Sequence, residues 1–109
     1  MAQPVTSYTE FWPYYLCQHR RPATRALHYL GTVSGLGCLA LAAILAQWGW
    51  LAATPVAGYL PAWIGHIAVE RNRPATFRHP LWSFVGDFHM LGLAATGRLG
   101  RELAKHGIT

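Results

Sequence analysis

The sequence predicts an all-α, small integral membrane protein: a transmembrane helical hairpin, an amphipathic helix before it, and an interfacial or membrane helix after it. Three observations carry this expectation. No Asp, Glu, Lys or Arg occurs between Arg25 and Glu70. Of 109 residues, 52% are hydrophobic and only 12% charged, where an ordinary soluble domain is about a quarter charged. Arginines crowd both ends of the charge-free interval, Arg20, Arg21 and Arg25 before it and Arg71, Arg73 and Arg78 after it. The length suits one membrane-embedded domain, residues 1–109.

The elements follow in chain order. "SYTEFWPYYLCQHRRP" reads as a short aromatic helix that Ser7 or Thr9 caps and Pro22 ends. Its Phe11, Trp12, Tyr14 and Tyr15 suit the lipid–water interface. A crossing helix needs about 20 apolar residues, so the charge-free interval holds two. The first runs from about Tyr29 to Trp48, with Gly31 and Gly35 as a small-residue pair that allows close helix contact. The second runs from about Ala53 to Val69, with Thr54 as cap, Pro55 in the first turn and a kink at Pro61. Between them Trp48 and Trp50 flank Gly49, as befits an interfacial turn.

A hairpin returns its second arm to the level where the first began. His28, near the start, and His66, near the end, are thus expected at similar depth, on the side that carries the arginines. The positive-inside rule makes that side cytoplasmic. The later segment "PLWSFVGDFHMLGLAATG" is expected to lie at the interface or re-enter. A full crossing would put Arg98, Arg101 and Lys105 outside, and Asp87 at mid-membrane would cost about 2.5–3.5 kcal/mol.

Other classes find little support. The chain is basic, with nine Lys+Arg against four Asp+Glu, but it has no zinc-finger spacing, RNP-like motif or zipper, which argues against nucleic acid. "MAQPVTSYTE" lacks the positive region of a signal peptide. Two cysteines, Cys17 and Cys38, are too few for a disulfide framework and read as reduced thiols.

The chemistry-bearing residues gather at the arginine-rich end. His66 and Glu70 are spaced i, i+4 and share a helix face. The hairpin brings His28 towards them, and His19 lies just upstream in the same basic segment. Three imidazoles and a carboxylate suit Fe, Zn, Mn or Cu(II), and the spacing does not choose among these. His79, before Pro80, is a further candidate as a ligand or as a support to one. Asp87, embedded in apolar sequence, needs a partner: the second ring nitrogen of a ligating histidine, or an arginine. His89 and Asp87, two residues apart, point to different sides of a helix, and His106 sits in a polar tail.

Taken together, "HRRPATRALHYLGT" and "AWIGHIAVERNRPATFRHPLWSFVGDF" resemble the small bacterial members of the 2-hydroxy fatty acid dioxygenase family. That family includes the fungal endoplasmic-reticulum enzyme of fatty-acid alpha-oxidation and was formerly a domain of unknown function. The resemblance runs from "EFWPYYL" to "TGRLGREL", and its most specific block is Gly65, His66, Glu70, Arg73, Pro74 and Ala75. It implies an all-helical membrane protein, here of the bacterial inner membrane. It also implies Fe(II)-dependent removal of one carbon from a long-chain 2-hydroxy fatty acid with O2. The family's histidines fall on His19, His28 and His66, with His79 matching mainly the short bacterial forms.

Residue geometry and resemblance combine into one set of expectations. His19, His28 and His66 hold the metal, Glu70 completes or orients the set, and Asp87 and His79 support it. Arg73 and then Arg25 anchor the substrate carboxylate, because an arginine fork binds carboxylate bidentately. The other arginines set topology or meet anionic lipid, and a homodimer suits so small a membrane protein. Three alternatives differ in kind: a non-catalytic membrane adaptor, a zinc-dependent lipid hydrolase with Glu70 as general base, and a haem protein.

Overall fold

A computed structural model describes residues 5–108 of the chain. Its path is helical: α1 (Tyr8–Cys17), α2 (Pro22–Leu45), α3 (Gly49–Ile64), a π-helical turn (Gly65–Glu70), a 3-10 turn (Ala75–Phe77), α4 (Pro80–Ala95) and α5 (Leu99–Lys105). No strand occurs among the described residues, in keeping with the all-α expectation.

Ser7 caps α1: its Oγ accepts from the Glu10 N–H at 3.2 Å, while the Glu10 carboxylate accepts from the N–H and hydroxyl of Thr6. The helix carries Pro13 inside it and stops at Cys17, ahead of Pro22. Pro22 does not end it, as the sequence suggested, but opens α2, because a proline costs no hydrogen bond in a first helical turn. The aromatic face of α1 also departs from expectation. Phe11, Trp12 and Tyr15 are buried in protein rather than set at an interface. They form the core with Leu16, Met90 of α4, Leu99 of α5 and Ile108. Trp12 Nε1–H donates to Glu102 at 2.8 Å, which ties α5 to α1. Its ring stacks on His89, with centroids 3.7 Å apart.

The hairpin forms from α2 and α3, with the turn at Ala46–Trp48, where Ala46 takes the left-handed conformation that ends α2. Gly31, Gly35 and Gly58 are its seam. A Cβ on Gly31 would lie 2.3 Å from the Gly58 carbonyl oxygen, so only glycine allows this approach. The two arms are unequal. α2 has 24 residues and is the one described helix long and apolar enough to cross a membrane. α3 has 16 and starts four residues earlier than expected, at Gly49 rather than Ala53. Thr54 therefore caps nothing; its hydroxyl donates back to the Trp50 carbonyl at 3.0 Å, inside the helix. Both Pro55 and Pro61 lie within α3, and a π turn follows it from Gly65.

Most large apolar side chains of the hairpin face outward: Val33, Ile44, Val56 and Leu60 are each more than half exposed. α4, at 16 residues, packs against α1, α2 and α5 rather than extending the hairpin. At 1.5 Å per residue it spans about 24 Å, short of a hydrocarbon core about 30 Å thick. Gly97 closes it in the left-handed conformation, with Arg98 N–H bonded to the Leu93 carbonyl at 2.8 Å and Gly97 N–H to Ala94 at 3.2 Å.

Candidate metal centre

Three elements bring three histidines to one point. His19 ends the turn after α1, its N–H on the Leu16 carbonyl at 3.0 Å. His28 lies in the second turn of α2, and His66 is the second residue of the π turn. Gly65 permits this: a Cβ there would press on Leu27 and Thr24 of α2 at 3.3–3.4 Å, so a bare backbone lets the π turn settle on that helix. Short π segments recur at functional sites.

His19, His28 and His66 are 0%, 6% and 1% exposed, and their rings stand nearly perpendicular to one another, with interplanar angles of 84°, 77° and 89°. His28 Nε2 lies 2.9 Å from His19 Nε2 and 3.0 Å from His66 Nε2. One donor atom from each histidine falls within 4.8 Å of the other two.

The other nitrogen of each ring decides what this convergence means. His19 Nδ1 faces the Tyr15 carbonyl at 2.6 Å, His28 Nδ1 the Asp87 carboxylate at 3.3 Å, and His66 Nδ1 the Asn72 side-chain oxygen at 2.7 Å. Asn72 is held in that orientation because its Nδ2 donates to the Gln18 carbonyl at 3.2 Å. All three partners are acceptors, an arrangement that favours the tautomer with its proton on Nδ1 and a lone pair on Nε2. Bare Nε2 atoms cannot hydrogen-bond to one another, yet that of His28 lies 2.9 Å from His19 and 3.0 Å from His66. Protonation is a costly remedy at His19, where burial first, and the neighbouring imidazoles second, hold the ring well below the usual histidine range. A cation between them resolves the conflict. The donor set fits a metal that accepts imidazole nitrogen, such as Fe, Zn, Cu or Ni.

A second layer fixes the first. The Tyr15 hydroxyl donates to Asp87 Oδ1 at 2.5 Å. Burial and the adjacent carboxylate hold this phenol well above its ordinary range, so it stays a donor. The Tyr15 ring stacks on His19 at 4.1 Å and lies over Gly86, where a Cβ would meet it at 3.1 Å. Asp87 thus finds its partner in His28 and Tyr15, not in an arginine.

Two expectations are corrected here. Glu70 does not join the imidazoles: its carboxylate accepts from the Arg21 N–H at the start of α2. The i, i+4 rule belongs to the 3.6-residue turn, and in the wider π turn Glu70 faces the positive end of a helix instead. His79 does not join them either. It is the N-cap residue of α4, stacked on Trp82 at 5.3 Å and set edge-on to Phe11 at 5.4 Å, because the aromatic face of α1 packs over the start of α4.

The arginines lie near but differ. Arg25 Nη1 donates to the His19 and Arg20 carbonyls at 2.9 and 2.8 Å, bracing the turn that carries His19. Arg73, next to Asn72, is exposed and lines a polar recess with Tyr14, Phe77 and Arg78. Cys17 is exposed and free, Cys38 is free, and His106 pairs with Glu102 at 3.4 Å. His89 accepts or donates at Tyr8 Oη, 2.9 Å away.

Sequence reasoning missed Tyr15, Gln18 and Asn72 as supports. The spacing of Tyr15 to His19, i, i+4 on one helical stretch, was a usable signal for the first. Nothing in the loop sequence marked Asn72.

A family model described as "2-hydroxy-palmitic acid dioxygenase Mpo1-like" matches residues 5–99. The chain belongs to the Mpo1-like family. The match takes in all three histidines, their acceptors and α1 to α4, so in this Mpo1-like protein the buried triad falls wholly within the family region. No curated protein and no solved structure matches the chain.

Proposed function

We propose that this protein is a membrane-embedded Fe(II) dioxygenase that converts a long-chain 2-hydroxy fatty acid into the acid one carbon shorter, with O2 as oxidant. One observation carries the reading: three buried histidines each bring a donor atom within 4.8 Å of the other two inside a chain of the Mpo1-like family. The reaction balances when the C1–C2 bond breaks, C2 becomes the new carboxyl carbon, and C1 leaves as carbon dioxide with one water formed.

His19, His28 and His66 would hold the iron, which when bound supplies the redox chemistry with O2 and a seat for the substrate's hydroxyl and carboxylate oxygens. The chain's own residues do the rest. Asp87, kept in place by the Tyr15 hydroxyl, orients His28; Asn72 does the same for His66, and the Tyr15 carbonyl for His19. Three nitrogen donors leave positions for substrate and oxidant. Arg73, exposed beside Asn72, is the carboxylate anchor, while Arg25 braces the His19 turn.

The outward apolar surface of the hairpin supports membrane embedding. α2, about 36 Å long at 1.5 Å per residue, is only 22% buried over its apolar window, unlike a soluble core helix. The arginines at the triad end favour a cytoplasmic site in a bacterial inner membrane. A substrate with its tail in lipid and its carboxylate at the headgroups meets a metal at that level.

A zinc hydrolase would need a free carboxylate at the metal, but Glu70 bonds to Arg21 and Asp87 is engaged by His28 and Tyr15. The test is metal content of protein purified without added metal, read beside turnover of 2-hydroxypalmitic acid with and without O2. The expected result is bound iron that His66→Ala loses, and a product one carbon shorter only in the presence of O2. Absence of any transition metal, or O2-independent turnover, refutes the proposal.

A further inference from the structure

An apolar groove of ≈ 200 Å³ opens between α2, α3 and α4, and one end of it is Asp87. Gly31, Gly35 and Gly58 line it where the two hairpin arms touch, Phe84 and Phe88 line it from α4, and Leu39 lies farthest along α2. Asp87 is its one charged lining residue, and that carboxylate bonds to His28 Nδ1 at 3.3 Å. No histidine lines the groove; it reaches the triad through Asp87, behind His28, and runs from there along α2 to Leu39. From Gly31 to Leu39 is eight residues of α2, about 12 Å at 1.5 Å per residue. Its rim is open: Leu36, Leu39, Phe84 and Phe88 are all partly exposed.

We propose that this groove seats the acyl chain of the substrate, and that Leu39 and the space over Gly58 set which chain lengths fit. The inference rests on the reading above for its substrate class, a 2-hydroxy acid with a saturated chain. Continuity selects this occupant over an ordinary membrane lipid. A chain lying in the groove delivers its head to the Asp87–His28 end, whereas a phospholipid tail there would force its bulky headgroup onto a buried triad. The glycines matter for the same reason. Gly31 must be bare so that α2 and α3 can touch, but a Cβ on Gly58 meets nothing nearer than the Gly31 carbonyl oxygen at 3.9 Å. No packing constraint requires glycine at 58, and its bareness keeps the groove open.

The experiment uses the full-length, iron-loaded protein in detergent. Turnover of saturated 2-hydroxy acids of increasing chain length is compared for wild type, Gly58→Leu and Leu39→Trp. Each variant is first checked for wild-type iron content, which reports an intact triad. The side chain at 58 crowds the middle of the groove, and overpacking of this kind reads as about a tenfold or greater loss of kcat/KM for long chains; short chains keep wild-type rates. Leu39→Trp, on a half-exposed position that tolerates bulk, trims only the longest substrates. Equal losses at every chain length, or none, overturn the proposal.

A second arm does not need turnover. 2-Hydroxypalmitic acid with a mid-chain diazirine is photolysed with each protein, and the labelled peptides are mapped. Labels on the stretches containing Leu36–Leu39 and Phe84–Phe88, reduced in Gly58→Leu, support the groove even if no product forms, in which case only the dioxygenase reading falls. Labels spread over Leu30, Val33 and Ile44 on the outer face overturn the groove whatever the activity. Equal labelling of the groove by a diazirine phosphatidylcholine does so too.

Discussion

Replacing Asp87 by alanine tests the supports of the proposed metal centre most directly. The Asp87 carboxylate faces two groups at once, the Tyr15 hydroxyl at 2.5 Å and His28 Nδ1 at 3.3 Å. Tyr15 is fully buried, so its hydroxyl loses a partner that water does not replace. A buried donor left unsatisfied costs about 1–3 kcal/mol of stability. His28 loses the group that fixes its tautomer, and removal of such a support lowers metal affinity about 10–100-fold. The two effects separate by experiment. Metal affinity comes from competition with a chelator; stability comes from denaturant unfolding of the metal-free protein in detergent. Tyr15→Phe removes the hydroxyl but leaves Asp87 on His28, so it should weaken metal binding less than Asp87→Ala. In the double variant the two losses should fall short of additive, because both act through one carboxylate. Wild-type metal affinity in Asp87→Ala would refute the claim that this carboxylate orients a ligand.

Three further outcomes are expected. Asn72→Leu removes the acceptor for His66 and should cost about tenfold or more in metal affinity, measured by the same competition; an unchanged affinity would show that the π turn alone positions the ring. Gly31→Ala places a methyl 2.3 Å from the Gly58 carbonyl oxygen and should destabilise by about 1–3 kcal/mol, while Gly37→Ala, with nothing within 4 Å, should not, as unfolding curves would tell. Glu102 is held below the usual carboxylate range, chiefly by the Trp12 N–H and less by Lys105 and His106. Its folded pKa is thus lower than its unfolded one, so its contribution is full above the unfolded value of about 4.3 and fades as pH falls through the folded value. Glu102→Gln should flatten that acid limb slightly, and an unchanged slope would count against the Trp12–Glu102 tie.

The helical class, the hairpin and the three histidines were all legible in the chain itself. A charge-free run between two arginine clusters admits few other folds, and a hairpin obliges residues near its two open ends to meet. Gly31 and Gly35 showed where the arms would touch because only small residues allow backbones so close. Polarity pattern and chain reversal are local or one-dimensional properties, and a single sequence carries them.

What the tertiary structure alone decided was which groups face which. Glu70 went to the start of α2 because a π turn, invisible in composition, changed its register and the helix end offered a free N–H. His79 went into an aromatic stack because α1 folds its Phe11 face inward over α4 rather than outward to lipid. Asn72 and Tyr15 became supports because loops and helix crossings placed one acceptor behind each imidazole. Sequence sets which side chains can bind a metal; the direction of each Nε2 lone pair is set by the hydrogen bond on the opposite side of its ring, and that bond exists only once distant segments have packed.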